Sequence, residues 1–550
     1  MGLAAATTGL IAIRGRPLVL PWVLVVPAVL LLTLLLQFGL GRLAFPQLGL
    51  LYAAYLLWAG ILMILGRHLV ETTGLVRLAD VVASAFVLGA VIGAGIALAQ
   101  WLGVSAGSGW MLFPKLGNAI YGNLGQTNHH AHYCWLGVAS AFYLRGRGLL
   151  SRHLLWGLIL LIGFASVLSG SRSVFVYPAV LFAAVGWWRF REPQGPAACL
   201  SVDAALLLPV VIVLSFFGTW ATPQLPDLSG WLGLSLPGGT AVTMAGSRLY
   251  ESMSGPDARL EIARSAWSAF LEHPWLGQGA GNYRWASFVA ASMRAGEEPF
   301  GVAEHAHNLI LQLMAEFGAP ATGIVLLLLG LWFRRFLGRP WGPAQFWCGA
   351  VLGIGAVHAL LEYPLWHAYF LGPTALLLGA TDVGRTVSLT GRRAVLYLPI
   401  VALGGAVIMT NLRTDYVIIE AAAYAPLAAH PDREQAWRIS MDRLLKSQRE
   451  SLLSPWALLA FAILAEPSRQ RAQDRADLCE RSIRVFPARW LVARCAMQQA
   501  IAGRDQDALA LTKAVLRAFP SQRDSTVEEL ASGGREYAEI MPLWEAGFAK

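Results

Sequence analysis

The chain has 550 residues, of which 56% are hydrophobic and only 14% charged, with a mean hydropathy of +0.54. Soluble domains carry about 25% charged residues, so these values exclude a soluble globular enzyme of this length. The formal net charge of +9 is no sign of nucleic-acid binding: much of the basic charge sits in short loops between apolar blocks, and no basic patch interleaved with aromatics occurs.

In chain order, Arg14 and Arg16 precede an apolar stretch from Leu18 to Leu36. It is too long for a signal-peptide core and reads as an uncleaved first helix. Apolar blocks of membrane-spanning length then recur. Lipid offers no partner for open backbone groups, so helices are expected; a barrel would show short alternating stretches. The expected spans are 18–37, 44–65, 79–101, 129–144, 153–169, 174–190, 201–220, 306–333, 344–361, 366–383 and 394–411. With the N-terminus in the cytoplasm, the cytoplasmic loops hold fifteen arginines. The short loops opposite hold Arg42, Lys115 and Arg172, three basic residues. The positive-inside rule favours this orientation. It sets two long polar regions, 221–305 and 412–550, outside the cytoplasm. The fold expected is therefore all-α: a polytopic bundle of about eleven spans over 1–411, including the long loop, and a soluble helical domain over 412–550.

Ionisable and polar groups at the rim of such a bundle are costly and mark function by default. The segment YGNLGQTNHHAHY, Tyr121 to Tyr133, brings Asn123, Gln126, Asn128, His129, His130 and His132 to the start of the fourth span. A metal reading of its histidines lacks an acidic ligand close in sequence. SGSRS, Ser169 to Ser173, is a tight turn whose single charge, Arg172, departs from the positive-inside trend; a guanidinium there can hold a phosphate in bidentate fashion. The loop segment Asp257 to Trp285 carries Arg259 and Arg264 on an amphipathic stretch, then GQGAG. That glycine run is no dinucleotide fingerprint, since no βαβ unit surrounds it. EHAHN, Glu304 to Asn308, sets His305 and His307 at the membrane face, and Glu362 is the lone charge of EYPLW. A histidine of near-neutral pKa can take a proton from a hydroxyl.

From residue 412 apolar residues become periodic, as in amphipathic helices of a soluble bundle. RVFP (Arg484–Pro487) and RAFP (Arg517–Pro520) stand 33 residues apart and flank a helix, Gly turn and helix pattern. Either a tetratricopeptide-type hairpin or an ordinary helix pair fits. The five cysteines show no metal spacing; Cys479 and Cys495 could form a disulfide if the tail is extracytoplasmic, but nothing in the sequence fixes their geometry.

One membrane face thus gathers arginines, histidines, amides and a carboxylate, with no DxD pair and no Walker loop. Such a set suits a pre-activated donor: arginines stabilise charge growing on a leaving diphosphate, and a histidine deprotonates the acceptor. At these residues the sequence resembles the bacterial O-oligosaccharyltransferases, in the superfamily of O-antigen ligases and polymerases. GNLGQTNHHAHY and EYPLW followed by a helical tail resemble the protein-glycosylating branch. SGSRS, DARLEIARSAW…HPWLGQGAGNYR and HAHNLILQLMAEFGAPA resemble the shared core.

The resemblance implies metal-independent glycan transfer, without cofactor, at the periplasmic face of the inner membrane. The donor implied is an undecaprenyl-diphosphate oligosaccharide, and the acceptor a Ser or Thr hydroxyl of an exported protein such as a pilin. By motif position Arg172 and Arg259 contact the diphosphate and His307 is the essential histidine, with His305 competing for that role. Asn308, Arg264, Asn123, Gln126, His129 and Glu362 are expected to help bind substrate. An O-antigen ligase acting on lipid A–core, or a polymerase, is the alternative. A transporter is disfavoured, because the polar clusters sit at one face and the spans show no clear repeat.

Overall fold

The structure is a computed structural model that describes residues 18–103, 118–231, 258–293, 302–382, 387–389, 392–424 and 432–531. Arg14, Arg16, Lys115, Arg385 and parts of the long polar loop (232–257 and 294–301) lie outside the described residues. The helices in chain order are α1 (Val25–Gly39), α2 (Pro46–Thr73), α3 (Leu75–Trp101), α4 (Thr127–Gly146), α5 (Arg152–Leu168), α6 (Tyr177–Arg191), α7 (Ala197–Ala205) and α8 (Leu207–Trp231). Two loop helices follow, α9 (Ala258–Glu272) and α10 (Tyr283–Met293), then α11 (Leu309–Leu337), α12 (Pro343–Ala359) and α13 (Ala368–Thr381). Helix α14 (Arg392–Tyr424) leads into the tail, which continues with α15 (Arg433–Glu450), α16 (Ser454–Leu464), α17 (Ala472–Val485), α18 (Arg489–Ile501), α19 (Asp505–Ala518) and α20 (Arg523–Ala531).

Six of these segments are both long and apolar enough to cross a membrane: Trp22–Gly39, Pro46–Thr73, Leu75–Trp101, Arg172–Arg191, Ala197–Gln224 and Leu309–Leu337. The chain is a multi-pass, predominantly helical membrane protein. Helix α3 shows the logic. Ala79, Ala83, Phe86, Ala90, Ala94 and Ala97 form one buried stripe, whereas Val81, Leu88 and Ile92 on other faces are more than half exposed. Small residues let backbones approach closely, and apolar side chains facing outward suit lipid rather than water. A Cβ added at Gly137 of α4 would overlap Ala90, so these two helices meet backbone to backbone. Gly66 of α2 and Gly379 of α13 make the same close approach.

Helix α4 packs against α3, α5 and α12, and from His129 to Leu144 all its residues but Tyr133 are buried. Its polar first turn is therefore delivered to the interior rather than to lipid. At the other end of the bundle, acids pair with loop arginines: Asp80 with Arg147 at 3.2 Å and Asp203 with Arg152 at 2.8 Å.

Two departures from the sequence reading concern the ends of spans. Leu18–Leu20 is not the start of the first helix; it is a strand, β1, paired antiparallel with β2, Val387–Leu389. Pro21 explains this: its φ of −69° and missing amide set a new start, and a short 3-10 turn from Trp22 leads into α1. The Asp382 carboxylate then accepts the Val23 amide at 2.8 Å. Helix α14 also runs on through residue 411, so no break in the backbone marks the expected domain edge. In the tail, consecutive helices from α14 to α19 pack as neighbours, α20 packs on α18, and Gly503, at φ +73°, makes the turn between α18 and α19. Cys479 and Cys495 are paired, with Cα atoms 5.4 Å apart, inside the range a disulfide requires.

Candidate active site

The site is organised around one buried carboxylate. Glu362 sits just past the end of α12, its side chain 2% exposed. Oε1 accepts from Asn128 Nδ2 at 2.7 Å and from an Arg259 guanidinium nitrogen at 2.9 Å. Oε2 meets His307 Nδ1 at 2.8 Å and, more weakly, Gln126 Nε2 at 3.5 Å. Four elements far apart in sequence thus converge on one group: the start of α4, helix α9, the segment before α11 and the α12–α13 turn. A buried charge is tolerated only when paired and hydrogen-bonded in this way. Burial by itself would push the Glu362 carboxyl up, but the bonds from His307 and Arg259 outweigh it and hold the group below its ordinary value.

An ionised carboxylate only accepts, so Glu362 requires the proton of His307 on Nδ1. That leaves Nε2 as the free basic nitrogen. A base held in one tautomer by a carboxylate is the arrangement used to activate hydroxyl nucleophiles. His307 keeps 27% of its side chain exposed, and its backbone adopts φ +48°. A left-handed conformation is uncommon for a residue with a Cβ and tends to occur where neighbours over-determine it. Here the neighbour is Asn308. Its Oδ1 caps α11 by accepting from the amides of Ile310 and Leu311 at 3.0 and 3.1 Å. Its Nδ2 donates to the Leu360 carbonyl at 3.2 Å. Asn308 thus locks the base segment to the end of α12.

His305 is placed differently. Its ring packs on Tyr363, with centroids 4.2 Å apart, and is largely enclosed. Burial first, then Arg284 and His307, push its pKa down to about 3. His129 is buried and touches His367 and Tyr369 rather than Glu362; its Nδ1 lies 3.3 Å from the Tyr369 hydroxyl. His132 stacks on Phe370 and lies tilted against His358, and His130 turns away toward Cys134 Sγ at 3.7 Å. Asn123 is exposed in the turn before α4. Arg264 is not brought into the cluster: it points outward and pairs with Glu261 at 2.5 Å. Five residues along a helix from Arg259 is about 140° around its axis, which accounts for the separation. Arg172 begins a short 3-10 turn, half-buried, and no carboxylate pairs with it among the described residues. The turn leads directly to Tyr177, whose hydroxyl lies 2.7 Å from His358 Nδ1.

Two parts of the scaffold were not legible beforehand. Gln37 of α1, fully buried, donates to the carbonyls of Leu276 and Glu316, each at 2.7 Å, and accepts from the Ala280 amide at 3.1 Å. The loop 274–281 is thereby laced to α11 where that helix breaks at Gly318 (φ +80°). Two backbone bonds reinforce the break: the Gln278 amide donates to the Ala315 carbonyl and the Ala319 amide to the Pro274 carbonyl, each at 2.8 Å. A Cβ at Gly277 would overlap Glu316 backbone, and one at Gly318 would overlap Trp275 backbone, so both glycines are required by close approach. The second part is the tail. Helix α10 packs on α17 and α19, sharing a core of Phe288, Ile483, Val492 and Val515. Arg284 of α10 pairs with Glu304, lies over the Phe486 ring and donates to the Val485 carbonyl at 3.4 Å. The tail therefore grips the residues immediately ahead of His305.

Two spans of the chain match known protein families. Residues 157–326 match a family described as O-Antigen ligase. Residues 346–531 match one described as Virulence factor membrane-bound polymerase, C-terminal. The first match holds Arg172, Arg259 and His307, and the second holds Glu362 and the tail as far as residue 531. A General O-oligosaccharyltransferase from Acinetobacter baylyi is 25% identical over 437 residues, 79% of this chain and 74% of that protein. No solved structure matches. Over these spans the chain is similar to O-antigen ligases and to an O-oligosaccharyltransferase, and these likenesses mark it as a membrane glycosyltransferase.

Proposed function

We propose that the protein transfers an oligosaccharide from undecaprenyl diphosphate to Ser or Thr hydroxyls of exported proteins such as pilins. In this reading eleven helices cross the inner membrane, and the Glu362 cluster and tail face the periplasm. The observation that carries it is the His307–Glu362 pair beside Arg259. His307 Nε2 takes the proton of the acceptor hydroxyl as its oxygen bonds to the anomeric carbon. The bond from that carbon to the phosphate oxygen breaks, and its electrons remain on the diphosphate. Arg259 and Arg172 balance the charge that grows there. Arg172, with no carboxylate partner among the described residues, is a cation left available for an anion. His305, enclosed and of low basicity, suits binding rather than proton abstraction. Neither metal nor cofactor enters the scheme. The tail, packed as successive helical hairpins, is taken as a tetratricopeptide-like surface for the acceptor.

The relative from Acinetobacter baylyi, by its name, favours O-linked oligosaccharide transfer, and the segments GNLGQTNHHAHY and EYPLW with the helical tail favour a protein acceptor. The O-Antigen ligase match over 157–326 supports the second reading, in which the same donor is moved to lipid A–core. Co-expression with a defined lipid-linked glycan and a candidate pilin separates them. A pilin mass raised by one glycan is expected. Glycan on lipid A–core with an unmodified pilin overturns the first reading in favour of the second.

A further inference from the structure

Helix α9 carries a face that no other described element covers. Leu260, Arg264, Trp267, Leu271 and Trp275 follow one another at intervals of three or four, so they form a single stripe along and just beyond the helix. Leu260 is 52% exposed, Trp267 47%, Leu271 58% and Trp275 76%. The buried side of the same helix, with Ser265, Ala266, Ala269 and Phe270, packs toward α10 and α11. Four large apolar side chains in one row, two of them tryptophans, form a patch of the kind that marks a partner surface.

The position of the stripe identifies that partner. Trp275 opens the loop that Gln37 of α1 holds through the Leu276 carbonyl. On α1 and just past it, Phe38 and Leu40 are 59% and 62% exposed, at the end of a segment apolar enough to span. Arg42, two residues on, meets His273 at 3.1 Å. The stripe therefore continues the lipid-facing surface of α1 at the point where that helix leaves the hydrocarbon. Tryptophan is enriched at this depth, and an arginine among apolar neighbours extends its head to phosphate level.

We propose that α9 lies in the interface of the bilayer leaflet on the Glu362 side, with Leu260, Trp267, Leu271 and Trp275 among the acyl chains and Arg264 at the lipid phosphates. This gives Arg264 a role apart from the Glu362 cluster. It has a consequence for catalysis that rests on the proposed function: Arg259, adjacent to Leu260 on the same helix, is presented at the depth where a lipid-linked diphosphate lies.

Nitroxide labels at Trp267→Cys and Leu271→Cys test the surface in the full chain, reconstituted in nanodiscs of phosphatidylethanolamine and phosphatidylglycerol, with Cys199→Ser as background. Arg438→Cys in the tail is the water-exposed control. Collisions with oxygen are expected to exceed those with a water-soluble nickel chelate at positions 267 and 271, with the reverse at 438. Labels at 267 and 271 that behave like 438, or that are shielded from both reagents by protein, overturn the proposal. This arm needs no activity, so it stands apart from the assignment of the reaction. In a second arm, Trp267→Ala combined with Leu271→Ala is expected to raise the KM for the polyprenyl donor severalfold with the acceptor KM unchanged. Embedded labels with an unchanged donor KM refute the consequence for Arg259 and leave the surface standing.

Discussion

Replacing Glu362 by Gln is the sharpest test of the site. The substitution keeps the shape and removes the charge. Glu362 accepts on both oxygens, from Asn128 and Arg259 on one and from His307 and Gln126 on the other. An amide must turn its N–H groups toward one of those donor pairs, so one side of the network is set donor against donor. If the amide oxygen faces Arg259 and Asn128, His307 loses its acceptor and the tautomer that frees Nε2. A hydrogen bond to a charged group contributes about 1.5–3 kcal/mol, which at about 1.4 kcal/mol per tenfold corresponds to a loss of about 10- to 150-fold in kcat. His307→Ala removes the base itself and is expected to cost more, about 10²- to 10⁴-fold. The assay is glycan transfer by the purified protein in nanodiscs, with a lipid-linked oligosaccharide, an acceptor peptide and separate kcat and KM determinations. A Glu362→Gln protein with kcat within about threefold of the parent would refute the argument that this carboxylate orients the base.

Further outcomes follow from the same geometry. Arg259→Ala is expected to lower kcat/KM for the donor by about two orders of magnitude, since it removes a charge-assisted contact to both Glu362 and the diphosphate; Arg264→Ala, on the outer face of α9, should leave kcat unchanged. Glu362 is held below its ordinary value of 4.5, so its contribution to stability is present above that pH and disappears as pH falls through the lower folded value. Thermal unfolding followed from pH 7 down to 3 should show a steeper loss for the parent than for Glu362→Gln, and equal slopes would count against the ionised pair. Gly318→Ala sets a Cβ into the Trp275 carbonyl at a positive φ, and a destabilisation of about 2 kcal/mol is expected, read as a lowered Tm. Arg284→Ala cuts the ion pair to Glu304 and the contact with Phe486; kcat should fall with little change in donor KM, whereas a wild-type kcat would show that the tail does not position the base segment.

Some of this was legible in the sequence for a clear physical reason. His307, Arg259, Gln126 and Glu362 are polar groups in an apolar chain, and their cost at a membrane rim marks them without any knowledge of their contacts. Asn128 stood in the same cluster, yet nothing in the spacing said that it, rather than His129, would face Glu362. That choice depends on the rotation of α4, which is buried on almost every side and so carries no amphipathic signal to orient it. Arg264 shows the reverse difficulty: it is as conspicuous as Arg259 in composition, and only the helical phase sends it outward. Gln37 gave no signal at all, being one amide in an apolar helix.

By itself, then, the sequence determined the membrane character, the helical class, the polar segments that hold the chemistry and the periodic change of the tail, because each depends on local composition and on the hydrocarbon thickness. The tertiary structure alone decided that Glu362 is the centre on which Asn128, Arg259 and His307 meet, that Pro21 turns Leu18–Leu20 into a strand, and that the tail grips Arg284. These are contacts between segments up to several hundred residues apart, set by how the helices rotate and pack, and neither quantity is written in the spacing of any one segment.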